Sequence, residues 1–154
     1  MRLVRWGFNR FPAYRGTGAR LTWIAPDWSE VRVRLPLGWR TRNYVGTIFG
    51  GSMYGAVDPV YMIMLIKALG PDYIVWDKAA TIRFRRPGRE TLFAVFRIPA
   101  EELAAVHAAV ADGGKAEREF TVDLVDAAGE VHATCTKLIH VRRREGETGP
   151  GPAP

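Results

Sequence analysis

Between Val45 and Ile66 the sequence carries one charged side chain, Asp58. A stretch this apolar does not suit a solvated surface, so the fold has to bury it on nearly every side. It begins as a glycine-punctuated loop, pairs Gly50 with Gly51, and runs on to Leu69 before Gly70 and Pro71 stop it. These signals predict a helix from Gly51 to about Leu69. Pro59 lies inside it, cannot donate a backbone hydrogen bond and crowds Gly55 one turn earlier, so a kink is expected there. A carboxylate isolated on such a helix needs a partner, a proton or a task.

The flanking segments read as strands able to wrap that helix. Residues 19–25 favour a strand, and Asp27 and Trp28 turn the chain after Pro26. Val31, Val33 and Leu35 alternate with Arg32 and Arg34, the pattern of a half-buried antiparallel strand. Further strands are expected over 73–86, 91–98, 119–125 and 131–141. In 73–86, Ala80, Ile82 and Phe84 fall on one face and Thr81, Arg83 and Arg85 on the other. A short helix opens at Pro99 with Glu101 and Glu102 in its first turn, runs to about Ala111 and stops at Gly113–Gly114. One curved antiparallel sheet wrapped around one long apolar central helix satisfies all these faces, which makes the chain an α+β domain. The expected organisation is a basic, aromatic segment over 1–18, partly suited to a short helix broken at Pro12, the domain over 19–142, and a disordered tail over 143–154.

Charge and cysteine usage narrow the partners. A net charge of +6 permits polyanions, acidic membranes and phosphorylated ligands. The arginines are scattered, which argues against a single nucleic-acid face. Cys135 is the only cysteine, so no intrachain disulfide or cysteine zinc cluster can form, and a cytoplasmic location is expected. The run from Met53 to Ile66 is too short for a comfortable membrane span and contains Asp58 and Pro59. His107, His132 and His140 have no paired nucleophile, and Cys135 reads as a core residue. Arg142 to Arg144 read as a solvated strand end.

The element order, with Asn43, Gly50–Gly51 and Asp58 at these spacings, resembles the hot-dog fold. It is similar in particular to the acyl-CoA thioesterases of the phenylacetate-pathway type, which carry an Asn, a His-Gly-Gly at the helix start and an Asp seven residues after the second Gly. Asn43, both glycines and Asp58 match, whereas Phe49 stands at the His position. The phrase Gly-Gly-Ser-Met-Tyr followed by Asp-Pro is closer still to a bacterial hot-dog group of unassigned function. The resemblance covers roughly residues 19–142. It implies a homodimer, with a dimer of dimers left open, and active sites at the interface between two central helices. It implies an acyl-CoA substrate or ligand, with coenzyme A as part of the substrate and no separate metal or redox cofactor.

On this resemblance Asp58 is the base or nucleophile, the Gly51 amide the oxyanion donor and Asn43 the group that orients water or substrate. The first helix N–H groups, at Gly50, Gly51 and Ser52, suit a developing oxyanion. Arg85, Arg86 and Arg89 would meet the coenzyme A phosphates; solvated strand-end arginines are the alternative. Gly51 and Asp58 lie about 10 Å apart along one helix, so a working site needs a second chain. Asp58 is also open to a structural reading, as acceptor for a backbone donor freed at Pro59, and Asn43 to one as a turn residue. Two functions follow: an acyl-CoA thioesterase, or a non-catalytic hot-dog protein that binds an acyl-CoA, which Phe49 in place of His motivates. Asp58 in solvent or in a same-chain salt bridge, far from the partner's Gly51, would rule out the thioesterase.

Overall fold

The computed structural model of the protein describes residues 1–111 and 114–144. The proposed disordered tail lies almost wholly outside the described residues, as does Gly113 of the expected helix stop.

Two short helices open the chain, α1 (Arg2–Arg10) and α2 (Pro12–Gly16), separated where Pro12 cannot continue the first. The strands β1 (Arg20–Ile24) and β2 (Glu30–Leu35) form a hairpin. Its turn is held by Trp28 in the left-handed region, at φ 61°. Then come α3 (Gly50–Val57), α4 (Val60–Leu69), β3 (Tyr73–Phe84), β4 (Leu92–Arg97), α5 (Ala100–Val110), β5 (Lys115–Val125) and β6 (Val131–Arg143). The six strands of the described residues join one antiparallel sheet in the order β1-β2-β4-β5-β6-β3.

The single long helix expected over 51–69 is two helices. Pro59 has no N–H to offer the Gly55 carbonyl, so α3 ends at Asp58 and α4 starts from Pro59. Together the pair still forms the apolar centre. Met53, Ala56, Val57, Val60, Tyr61, Met64, Leu65 and Leu69 are buried against the inward rows of the strands, among them Val31, Val33, Phe96 and Ile139. The Tyr61 ring stacks on Phe120 at 4.8 Å and meets Phe96 edge-on at 5.0 Å. Its hydroxyl donates to the Thr121 carbonyl at 3.0 Å, which satisfies the one polar atom this residue brings into the core.

The two sheet edges differ. The β1 edge is covered by α1: Asn9 receives the Leu21 N–H at 2.8 Å and donates to the Leu21 carbonyl at 3.0 Å, as a neighbouring strand would. Arg5 donates to the carbonyl of Thr22 on the same edge. The β3 edge pairs with no strand among the described residues. The alternation expected along β3 is also lost in its second half, where Ala79, Ala80, Thr81, Arg83 and Phe84 are all exposed. At its far end β6 continues to Arg143, with Arg142 half-buried opposite Ile74 and Lys115 and Arg143 and Arg144 exposed, which is the solvated strand end expected there, while Arg143 belongs to the strand rather than to the expected tail.

Candidate functional site

The start of α3 is built by the loop before it. Asn43 ties that loop together: its carboxamide oxygen accepts from the N–H groups of Val45 at 3.1 Å and Thr47 at 2.9 Å, and its nitrogen donates to the Thr47 hydroxyl at 2.9 Å. This is an Asx-type turn, and it occupies most of what the side chain could offer a substrate. The Phe49 N–H then donates to Thr41 at 2.7 Å and the Ile48 N–H to Gly88 at 2.8 Å, which fixes the entry to the helix.

Phe49 has extended backbone angles and provides no side-chain cap. Its carbonyl accepts from Ser52 at 2.9 Å and Met53 at 3.1 Å. The Ser52 N–H is therefore already bonded and its side chain is buried, contrary to the expectation that it faces a ligand. The N–H groups of Gly50 and Gly51 have no protein acceptor among the described residues. A Cβ built on Gly50 would lie 2.9 Å from the Phe84 ring, and one on Gly51 would lie 2.3 Å from the Phe49 ring. Both glycines thus lie under exposed aromatic rings, and neither leaves room for a side chain without moving one.

A groove of about 380 Å³ opens beside this helix start, lined by Asn43, Thr47, Gly50, Phe84, Arg85 and Arg86 among others. The structure so gathers Asn43, Gly50, Arg85 and Arg86. The two arginines have protein partners, Thr134 for Arg85 at 2.9 Å and Glu130 for Arg86 at 2.9 Å. Arg89 is exposed and does not line this groove.

Asp58 sits at the other end of α3, away from the groove. Its carboxylate accepts from Lys137 Nζ at 2.5 Å, and the same ammonium reaches Asp77 at 2.9 Å. Lys137 is 1% exposed, whereas the side chains of Asp58 and Asp77 are 43% and 24% exposed. The other Asp77 oxygen is buried without a partner among the described residues. Burial pushes the Asp77 carboxyl above its usual range, against the opposing pull of Lys137. Burial alone would lower the Lys137 amine, but its bonds to Asp58 and Asp77 and their charges hold it above the ordinary value. The carboxylate that looked isolated in sequence therefore has a same-chain partner, and its exposed side borders an apolar cavity of about 860 Å³ between α1–α2 and α3–α4.

Sequence reasoning misses Lys137 and Asp77. The signal for Lys137 is its place on the inward row of β6, between Cys135 and Ile139. An ammonium on that row requires buried acids. The same-chain salt bridge is half of the condition set against hydrolysis; the distance from Asp58 to a second chain's Gly51 is the other half.

Comparison with known proteins adds the family and the fold. The family described as "Domain of unknown function (DUF4442)" matches residues 1–141. No curated protein matches the chain. A Pseudomonas aeruginosa protein of unknown function, described as a probable thioesterase, is 25% identical over 93% of this chain and 95% of its own, with a TM-score of 0.82. A protein of unknown function from Chlorobaculum tepidum shares 15% identity over 93% of this chain and 94% of its own, at a TM-score of 0.74. A Haemophilus influenzae thioesterase shares 11% over 89% and 87%, at 0.66. The fold is that of the hot-dog thioesterase superfamily.

Proposed function

We propose that this chain, which belongs to the DUF4442 family, is a thioesterase acting on an acyl-CoA, with each active site shared between two copies of the chain. The observation that carries the reading is the groove at the start of α3, where Asn43, Gly50, Arg85 and Arg86 converge beside two unspent helix N–H groups. Such donors carry the partial positive charge of the helix start and suit both a thioester carbonyl and an anionic headgroup. The likeness to the Pseudomonas aeruginosa protein over nearly the whole of both chains supports the reaction class.

In this scheme the thioester carbonyl lies against the Gly51 N–H of one chain. Asp58 of the other takes a proton from water as the water oxygen attacks the carbonyl carbon. The tetrahedral oxyanion is held by the amide; it collapses with breaking of the C–S bond, the leaving thiolate takes the proton from Asp58, and the acid is released with Asp58 restored to its carboxylate. Asn43 holds the loop in place rather than touching the reacting atoms. Arg85 and Arg86 meet phosphate by exchanging their bonds to Thr134 and Glu130. The uncovered β3 edge supports the dimer: twelve residues of strand with one side unpaired among the described residues are a ready template for a second copy.

A second reading has its own support. The Lys137 ammonium at 2.5 Å already occupies one oxygen of the Asp58 carboxylate, and the Phe49 ring lies over Gly51. Both favour a protein that binds an acyl-CoA without hydrolysing it. Thiol release across an acyl-CoA chain-length panel separates the two. The thioesterase reading expects turnover with at least one substrate, abolished in Asp58→Asn without loss of the dimer. Saturable binding with no turnover across the panel establishes the second.

A further inference from the structure

The N-terminal helices bear a surface that thioester chemistry does not use. Residues 1–26 contain Arg2, Arg5, Arg10, Arg15 and Arg20 but no aspartate or glutamate; the first acidic residue is Asp27. That segment alone contributes +5, against a net +6 for the chain. The fold gathers these five with Arg40 around three adjoining grooves, which share Arg10, Arg15, Arg20 and Arg40 as walls. No acid lines any of the three, and none of the six arginines is in an ion pair among the described residues.

Apolar side chains are interleaved with that charge. The i, i+3, i+7 spacing puts Leu3, Trp6 and Arg10 on one face of α1, while Val4, Phe8 and Phe11 face the cavity over α4 and Arg5 and Asn9 bind the β1 edge. Leu3 is 80% exposed, and on the neighbouring loop Trp39 is 85% exposed. The Arg10 guanidinium lies 4.5 Å from the Trp6 ring centroid and that of Arg40 lies 4.7 Å from Trp39. Arginine for the headgroups, tryptophan for the interface and a protruding leucine for the acyl region are what a helix lying in a membrane surface presents. Nucleic acid would use the arginines and the tryptophan faces, but Leu3 has no ring to stack on a base.

We propose that α1 and the Trp39 loop form a docking surface for an anionic lipid bilayer. The surface lies at the β1 edge, across the whole sheet from β3, so pairing through β3 would leave it open. The proposal does not depend on the thioesterase reading.

The test is co-sedimentation of the full chain with vesicles of phosphatidylcholine alone and of phosphatidylcholine mixed equally with phosphatidylglycerol. Binding is expected only to the anionic vesicles, weakened by salt, with tryptophan emission shifted to the blue. Arg10→Gln with Arg40→Gln should lower partitioning about twenty-five-fold, about fivefold for each arginine near the surface. Leu3→Ser with Trp39→Ser should lower it and remove part of the emission shift. A charge-matched control, Lys115→Gln with Arg143→Gln at the other end of the sheet, should bind like the parent. All these residues are exposed, and if a variant fails to fold the comparison of the two vesicles decides alone. The proposal is overturned by equal binding to both vesicles, by none to either, by equal loss in the control, or by preferential binding of duplex DNA or single-stranded RNA at the same salt.

Discussion

Replacing Lys137 with methionine removes the ammonium and keeps most of the side chain's bulk. In the parent that ammonium serves two carboxylates from a fully buried position. Breaking a buried ion pair from one side costs about 3–5 kcal/mol when the remaining charge is stranded. Asp58 is 43% exposed and stays solvated, so the loss falls mainly on Asp77, whose second oxygen already lacks a partner. A cost of about 2–3 kcal/mol follows, or a fall in Tm of about 4–12 °C for a domain of this size.

The pH dependence identifies the cause. The Asp77 carboxyl is already raised by burial, and without Lys137 it rises further. Its native state then binds more protons than the unfolded chain as pH climbs past the ordinary carboxylate value, so stability falls with rising pH. The deficit of Lys137→Met should be largest near about pH 7 and shrink towards about pH 4, and adding Asp77→Asn should recover most of it. The parent behaves differently in alkali: Lys137 sits above its ordinary value, so its contribution is complete below the unfolded value and is lost as pH rises through the folded one. Thermal unfolding followed by circular dichroism reads all of this. A Tm unchanged by Lys137→Met at neutral pH, or a deficit that Asp77→Asn does not relieve, would show that the ammonium does not hold the Asp77 carboxylate in the fold.

Other substitutions test separate parts of the account. Tyr61→Phe removes the hydroxyl bond to Thr121 and should cost about 1 kcal/mol in denaturant unfolding with an unchanged slope. Gly18→Ala combines a φ of +83° with a Cβ only 2.2 Å from the Thr41 methyl, so a loss of about 1–3 kcal/mol is expected; an unchanged midpoint would count against the strain. Asp126 is held below the usual carboxylate range, first by its bond to His132 and then by the Glu130 N–H, so its contribution is present above the ordinary value and lost in acid. Asp126→Asn should therefore lower stability at neutral pH and flatten the acid limb of the stability profile. Lysines at Ala79 and Ala80 on the open β3 edge should convert a dimer to monomers in light scattering; an unchanged mass would place the interface elsewhere.

Much of the fold could be read from the chain because its signals are local. Val31, Val33 and Leu35 alternate on β2, and Pro59 lies where the backbone must break. A proline lacks an N–H whatever surrounds it, so the interruption was legible, although a kink was expected and the structure has two helices. β3 was harder. Alternation is set by what covers a strand, and the Ala80–Ile82–Phe84 row is only partly covered at the sheet's edge, with Ile82 half-buried and Ala80 and Phe84 exposed. The site divides in the same way. The helix start and its glycines are sequence-local and lie where spacing put them. The Asp58 partner comes from a residue 79 positions away, and only the inward row of β6 hinted at it. Asn43 matched a motif, yet its carboxamide is taken up by its own loop, which spacing alone does not reveal.

In the proposed site Asp58 comes from one chain and the Gly51 amide from the other. Mixing two inactive variants puts this to the test. Asp58→Asn removes the base, and Gly51→Pro deletes a first-turn N–H and displaces the Phe49 ring that lies over Gly51, with a loss of about 10²–10³ in rate; circular dichroism and light scattering verify that each variant folds and pairs. A dimer containing one of each has one intact site. Random reassociation of equal amounts should therefore restore about one quarter of the parental thioester hydrolysis, since half the dimers are mixed and each has half its sites. Failure of the mixed sample to exceed its two components, with exchange of chains verified, would contradict a shared site.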